Sequence, residues 1–215
     1  MTETRRGWFV NFEGMDGCGK TTQMRLLARR LRDRGREVVE TVEPGGTRIG
    51  NQIRAILLDP SNQELFPTAE MLLYFAARAQ NVDQIIAPAL QQGQIVLSDR
   101  FTDSTMAYQG LGRGLGEEVV KALDAVACRG LKPALTVLID IDLETSLERA
   151  RARNREKSNS DRMDEQAADF HQRVREAYLY MAAREPERFR VIDGRGAVDS
   201  IAAAVWDAIQ PLRQV

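Results

Sequence analysis

The stretch Gly14-Met15-Asp16-Gly17-Cys18-Gly19-Lys20-Thr21 constrains this chain more than any other, because it fits G-x-x-x-x-G-K-[ST] without a mismatch. The apolar run Trp8-Phe9-Val10-Asn11-Phe12 leads into it. Behind it Met24, Leu27 and Leu31 recur at helical spacing until Gly35 ends the segment. Strand, loop and helix thus come in the order a phosphate-binding loop needs. Glycines let the backbone turn and approach a polyphosphate with its N–H groups pointing inward, and the helix N-terminus adds partial positive charge. The nucleotide-binding set is therefore expected to be Gly14, Met15, Asp16, Gly17, Cys18, Gly19, Lys20, Thr21 and Thr22. Lys20 would reach the β- and γ-phosphates of ATP, and the Thr21 hydroxyl would ligate the Mg2+ that bridges them.

At 215 residues and 43% hydrophobic composition the chain can build one well-buried α/β domain, expected to span 1–215. The balance of 30 Lys+Arg against 31 Asp+Glu gives no global attraction to nucleic acid, so such a partner is disfavoured. Cys18 and Cys128 are too few and too far apart for a zinc site or a disulfide framework, which fits a reducing compartment. Asn11 and Glu13 interrupt any signal-peptide core, and no apolar run approaches the about 20 residues of a membrane span. A soluble, cytoplasmic protein is expected.

Along the chain, Arg36–Val42 reads as a second strand closed by Glu43-Pro44-Gly45-Gly46-Thr47, with Thr47 placed to cap the next helix. Ile49, Ile53, Ile56 and Leu57 keep helical spacing up to Asp59-Pro60-Ser61. A longer helix opens at Pro67, runs to about Pro88 and stops by Gly93. Gln94–Ser98 and Leu135–Asp140 are near-continuous apolar runs, the profile of buried parallel strands. Between them a glycine-rich connection, 109–116, precedes a helix through about Arg129. Leu143 to Arg153 is helical in pattern, Asn154 to Asp161 reads as a loop, and a helix from about Glu165 to Arg184 follows. A short strand, Phe189–Ile192, and a last helix through Leu212 complete an alternation that predicts a parallel sheet with helices on both faces.

Asp99-Arg100 closes the third strand at the carboxyl edge where the phosphate loop also opens. The acid is a candidate to hold Mg2+ and the arginine to clamp an acceptor phosphate; the plainer reading is a strand-end salt bridge. The segment Glu144, Glu148, Arg149, Arg151, Arg153, Arg155 and Arg162 is either a solvated helix face or an arginine-bearing lid at about 150–163. Arg149 and Arg153 share one face and Arg151 and Arg155 roughly the opposite one, so one pair can face the crevice whichever way the helix docks. Tyr74 and Arg78 lie four apart on the long helix and could jointly hold a base, or belong to the core. His171 is expected to face solvent. The Cys18 thiol, at a helix N-terminus, is either lowered in pKa or inert filler. Asp193-Gly194-Arg195-Gly196 matches D-x-x-G, but no N-K-x-D accompanies it, and the match is set aside.

Four stretches in order resemble the thymidylate kinase family in its bacterial form: 13–22, Glu43-Pro44-Gly45-Gly46-Thr47, Tyr74-Phe75-Ala76-Ala77-Arg78-Ala79-Gln80, and 99–110, Asp99-Arg100-Phe101 through Tyr108-Gln109-Gly110. The likeness spans essentially the whole chain. It implies a P-loop NTPase fold of the nucleoside monophosphate kinase type, with a five-stranded parallel sheet. It also implies transfer of the ATP γ-phosphoryl group to dTMP, giving dTDP for dTTP biosynthesis, with Mg2+, in a homodimer. By the resemblance Arg100 and Arg54 bind the dTMP phosphate, Arg78 and Thr105 read the thymine edge, and Tyr108 crowds the 2′ position with Gln109 beside it. Glu43 and Ser104 come with the same stretches, and Asp16 matches an acid that helps organise sugar and metal. Arg153 and Arg162 match basic positions of the lid, so Lys20, Arg100, Arg153 and Asp16 are the expected catalytic set and Thr21 and Asp99 the metal set. Two positions depart from the pattern. Tyr74 stands where phenylalanine is usual, with Phe75 next to it, and Phe101 stands where tyrosine or histidine is commoner.

Overall fold

The computed structural model describes residues 7–157, 162–163 and 166–213. Its strands are β1 (Phe9–Glu13), β2 (Val38–Val42), β3 (Ile95–Asp99), β4 (Leu135–Asp140) and β5 (Phe189–Asp193), all parallel in the order β2-β3-β1-β4-β5. The helices are α1 (Lys20–Arg32), α2 (Arg48–Leu58), α3 (Pro67–Asn81), α4 (Ala87–Gln91), α5 (Thr102–Thr105), α6 (Glu117–Cys128), α7 (Leu143–Lys157), α8 (Ala168–Arg184), α9 (Val198–Ala208) and α10 (Gln210–Arg213). Two π-helical turns, Val82–Ile86 and Met106–Gly112, complete the order.

Every residue of β1 is buried, as a central parallel strand requires. Its side chains alternate between two cores. Val10 and Phe12 pack with Leu97 and Val137 against Met24, Leu27 and Leu31 of α1 and Val205 of α9. Phe9 faces the other side, with Val96, Met71 and Phe75 of α3 and Val120 of α6, while α8 covers the β4 end through Phe170 and Val174. Asn11 and Glu13 fall on this second face by the two-residue period, and they carry polar groups into it. Helices therefore cover both faces. Phe12 lies opposite Asp99 in register, so the turn after β1 and the end of β3 leave the sheet side by side at its carboxyl edge.

Several boundaries differ from the sequence reading for identifiable reasons. β2 begins at Val38, because the sheet pairs it only where β3 runs alongside. The helix from Pro67 reaches Gln91 through a π-turn just ahead of Pro88, whose missing N–H cannot continue the regular ladder. The glycine-rich connection is partly the second π-turn. α7 continues past Arg153 to Lys157, because after Asn154 the polar residues read as a loop are arginine, glutamate and lysine, all good helix formers. The rest of the expected lid, 158–161, lies outside the described residues.

Candidate functional site

The phosphate loop joins β1 to α1 with Gly14, Gly17 and Gly19 all at positive φ (137°, 80° and 93°). A Cβ at Gly14 would stand 2.4 Å from the Ile139 carbonyl oxygen, and one at Gly17 2.6 Å from that of Ser146, so β4 and α7 press against the loop. The Ser146 hydroxyl donates to the Asp16 carbonyl at 2.6 Å. Gly19 caps α1 with no capping side chain and the Cys18 sulfur accepts from the Lys20 N–H, so the N–H groups of the first turn beyond Lys20 are open to an anion. Lys20 is buried, its ammonium curled over the loop to Met15 O (3.4 Å) and Asp16 Oδ1 (3.5 Å). The Thr21 hydroxyl donates to Asp99 Oδ2, bringing the two residues expected at the metal into contact. Met15 and Cys18 are buried and Thr22 is exposed. Burial holds the Cys18 thiol above its ordinary range despite Lys20 beside it, so the possible lowering by the helix N-terminus is overturned.

Arg100 follows β3 at φ 73°, an unusual backbone for a non-glycine residue, and its guanidinium is held from several sides. Nη1 donates to Ser104 Oγ (3.0 Å) and Tyr178 Oη (3.1 Å), Nη2 to Asp16 Oδ1 (3.1 Å) and Tyr108 Oη (3.3 Å). Burial works against its charge, but Tyr108, Asp16, Tyr178 and Glu13 together hold it well above the usual guanidinium range. Beneath lies Glu13, fully buried. Its carboxylate accepts from the amides of Phe101 (2.9 Å) and Ser104 (3.1 Å) and from the hydroxyls of Ser104 (2.6 Å) and Tyr178 (2.8 Å). Burial raises its pKa, and Arg100 opposes the rise. The sequence by itself assigns no role to Glu13 or Tyr178. The signal was weak, a lone acid at the end of an apolar strand and a tyrosine inside a charged helix.

Asp16, Glu43, Arg54, Tyr74, Arg78, Arg100, Ser104, Thr105, Tyr108 and Gln109 line one cavity with Pro44, Leu58 and Met163. Every expected substrate-binding residue is thus in one place. Arg78 is buried, donating to Glu43 Oε2 (2.7 Å) and Thr105 Oγ1 (2.9 Å), while its Nη1 has no hydrogen-bond partner among the described residues. Burial raises the Glu43 carboxyl against the pull of Arg78. Phe75 stacks under Arg78 within the core, 4.8 Å from guanidinium carbon to ring centre, whereas Tyr74 lines the cavity; this separates the two neighbouring aromatics. Arg54 donates to Pro44 O (2.8 Å). Gln109 donates to Glu70 (2.8 Å).

α7 lies against the loop through Ser146 and Ala150, and Arg149 Nη1 donates to Gly194 O (3.1 Å). Arg151 and Arg155 are exposed; Arg153 follows Arg149 by one turn, with its side chain outside the described set. Arg162, grouped by sequence with the lid, is buried and pairs with Glu70. His171 is buried rather than solvent-facing, its ring edge-on to that of Phe170 at 5.7 Å on the packed part of α8. A wider cavity between α5, α6 and the end of α8 holds charges that are mutually satisfied, Asp103 with Arg188 and Lys121 with Glu117.

A family model for thymidylate kinase matches residues 12–205. Among curated relatives, the thymidylate kinase of Pelobacter propionicus is 52% identical over 93% of this chain and 92% of its own length. That of Geobacter sulfurreducens is 49% identical over 94% and 96%. The crystal structure of thymidylate kinase from Ehrlichia chaffeensis superposes with a TM-score of 0.76 at 33% identity, over 95% of this chain and 99% of that one.

Proposed function

The chain belongs to the thymidylate kinase family, and from that premise we propose how its own residues carry the reaction. It transfers the γ-phosphoryl group of ATP to dTMP, giving dTDP, a step of nucleotide biosynthesis. ATP presents its phosphates to the loop amides and the uncapped start of α1, and Lys20 swings from Asp16 to the β- and γ-oxygens. A hydroxyl and a carboxylate in contact at the loop, Thr21 and Asp99, form a hard-oxygen pair that fits Mg2+. Among the described residues no three His, Cys, Asp or Glu side chains could hold a metal by themselves, so most of its ligands would be phosphate and water oxygens. Thr21 and Asp99 would hold the ion, which would supply positive charge to offset that of the ATP phosphates.

The observation that carries the acceptor reading is the cavity with Arg100 at its loop end and Arg78 in its wall, the buried Nη1 of Arg78 having no partner among the described residues. A buried donor with no partner costs about 1–3 kcal/mol, a debt a thymine carbonyl would cancel. Tyr74 supplies a stacking face, Thr105 and Arg78 the base edge, Tyr108 and Asp16 the sugar end, and Arg100 with Arg54 the phosphate. Leu58 and Met163 offer apolar contact for the thymine methyl, worth about 1–3 kcal/mol, so some dUMP is accepted. A phosphate monoester dianion is already a nucleophile at neutral pH. The chain therefore has to align the two nucleotides and neutralise the migrating group rather than remove a proton.

Arg153 is assigned to the migrating phosphoryl group, supported by the packing of α7 on the loop one turn earlier, at Arg149 and Ala150. We read residues 1–215 as one kinase unit acting in the cytoplasm, consistent with two free cysteines, both buried. We also read it as a homodimer. A panel of nucleoside monophosphates assayed for ADP release tests the substrate assignment, and dTMP should be preferred. Arg153→Ala should lower turnover by about 10³-fold with dTMP affinity little changed; unchanged turnover would take Arg153 out of the mechanism.

A further inference from the structure

Glu70 has no part in the chemistry above, yet it is fully buried in the first turn of α3 and gathers donors from two distant segments. Gln109 Nε2 reaches Oε1 at 2.8 Å. Arg113 grips both oxygens, Nε at 2.7 Å and Nη2 at 3.0 Å, and Arg162 Nη2 also reaches Oε2. Each donor sits beside a wall of the acceptor cavity. Gln109 and its neighbour Tyr108 line it, and so does Met163, next to Arg162. Arg162 in turn bonds the end of α2, its amide to Leu58 O and its Nε to Leu57 O, both at 3.1 Å, and Leu58 lines the cavity too. Arg113 lies over Phe170, which meets the Tyr108 ring edge-on at 6.0 Å. Along α3 itself, Glu70, Tyr74 and Arg78 follow at intervals of four and so share a face.

Stability does not account for such a group. Taking a carboxylate and two guanidinium groups out of water is expensive, and well-packed apolar replacements of buried ion clusters are often as stable or more so. What the cluster does supply is a fixed spacing. We propose that Glu70 is a positioning residue for the acceptor nucleotide: by tying the Met106–Gly112 turn and the Arg162-Met163 segment to α3, it sets the width of the nucleoside end of the cavity. It governs dTMP binding and not the handling of ATP. The inference rests on reading this cavity as the dTMP site.

The test uses the full chain with Glu70→Gln and, separately, Arg113→Met, a residue that does not line the cavity. Initial rates are measured with dTMP and ATP varied independently, dTMP binding by calorimetry, and folding by thermal melting. Both variants should raise KM and Kd for dTMP by about tenfold, since small misplacements of binding groups carry large penalties. KM for ATP should stay within about twofold. A purely structural role would lower the melting temperature or the fraction of active sites while leaving both KM values alone, and that result overturns the proposal. If Glu70→Gln does not fold, Arg113→Met decides, and an unchanged KM for dTMP overturns it equally. Absence of dTDP formation by the unsubstituted protein would instead sink the reading of the site.

Discussion

Tyr178 places one hydroxyl among three groups of the acceptor site: it receives Arg100 Nη1 at 3.1 Å, lies 2.9 Å from Ser104 Oγ and donates to Glu13 at 2.8 Å. Tyr178→Phe leaves Glu13 and Arg100 each short of a buried partner, which should cost about 1–3 kcal/mol of stability. It should also raise KM for dTMP with KM for ATP unchanged, as melting and initial-rate measurements would register; an unaltered KM for dTMP would mean Ser104 and Asp16 suffice to hold Arg100. The thiols give a second prediction. Burial pushes Cys128 up to about 12 and raises Cys18 from its ordinary 9.0. The folded form thus keeps these protons longer than the unfolded one. Their contribution to stability is complete below pH 9.0 and is lost as the pH climbs toward about 12. At pH 8, native protein should react with a thiol reagent far more slowly than protein in denaturant, and equal rates would contradict the burial. Neither Tyr178 nor Glu13 could be assigned a role from the chain, because their roles exist only where β1, β3 and α8 meet.

Between elements, the closest fit at the site is that of α7 on the phosphate loop. Gly17 and Gly19 share a positive φ, about 1–2 kcal/mol unfavourable for any residue with a Cβ. At Gly17 the added atom would also sit 2.6 Å from the Ser146 carbonyl and 3.0 Å from the Ala150 nitrogen, whereas at Gly19 nothing lies within 4 Å. Gly17→Ala should therefore melt well below Gly19→Ala in the absence of nucleotide, and it should weaken ATP binding by displacing α7. Equal melting temperatures would show that the helix yields freely. The existence of α7 was plain in the periodicity, but its length was not, since charged residues that favour helix also make good loops. Its docking surface was likewise hidden, because Ser146 and Ala150 carry no signal beyond being small.

For the molecule as a whole, six of the exposed apolar side chains belong to three helices that pack together: Ile49 and Ile56 of α2, Phe66 and Leu72 at α3, Val119 and Val126 of α6. The paired residues on α2 and on α6 are seven apart, two turns along one face, and α3 packs against both helices. Phe66 and Val126 are the most exposed of them, at 77% and 74%. For the homodimer proposed above, these helices are the candidate interface. Val126→Glu should shift the mass measured by light scattering from dimer toward monomer, and a dimer unaffected by the change would move the interface elsewhere.

Order and type of the strands and principal helices, the phosphate loop and the set of residues around the acceptor cavity could all be read along the chain. The elements and the phosphate loop are local patterns: a period of two or of 3.6, a glycine at a turn, a charge at a strand end. Most of the cavity residues were legible only through the family resemblance of the stretches that carry them. The tertiary structure decided which of two neighbouring aromatics faces the cavity, that His171 and Arg162 are buried, and that Glu13 and Glu70 lie beneath the site. Those facts depend on how far apart two helices settle and which side of a strand meets them, distances no single stretch of sequence encodes.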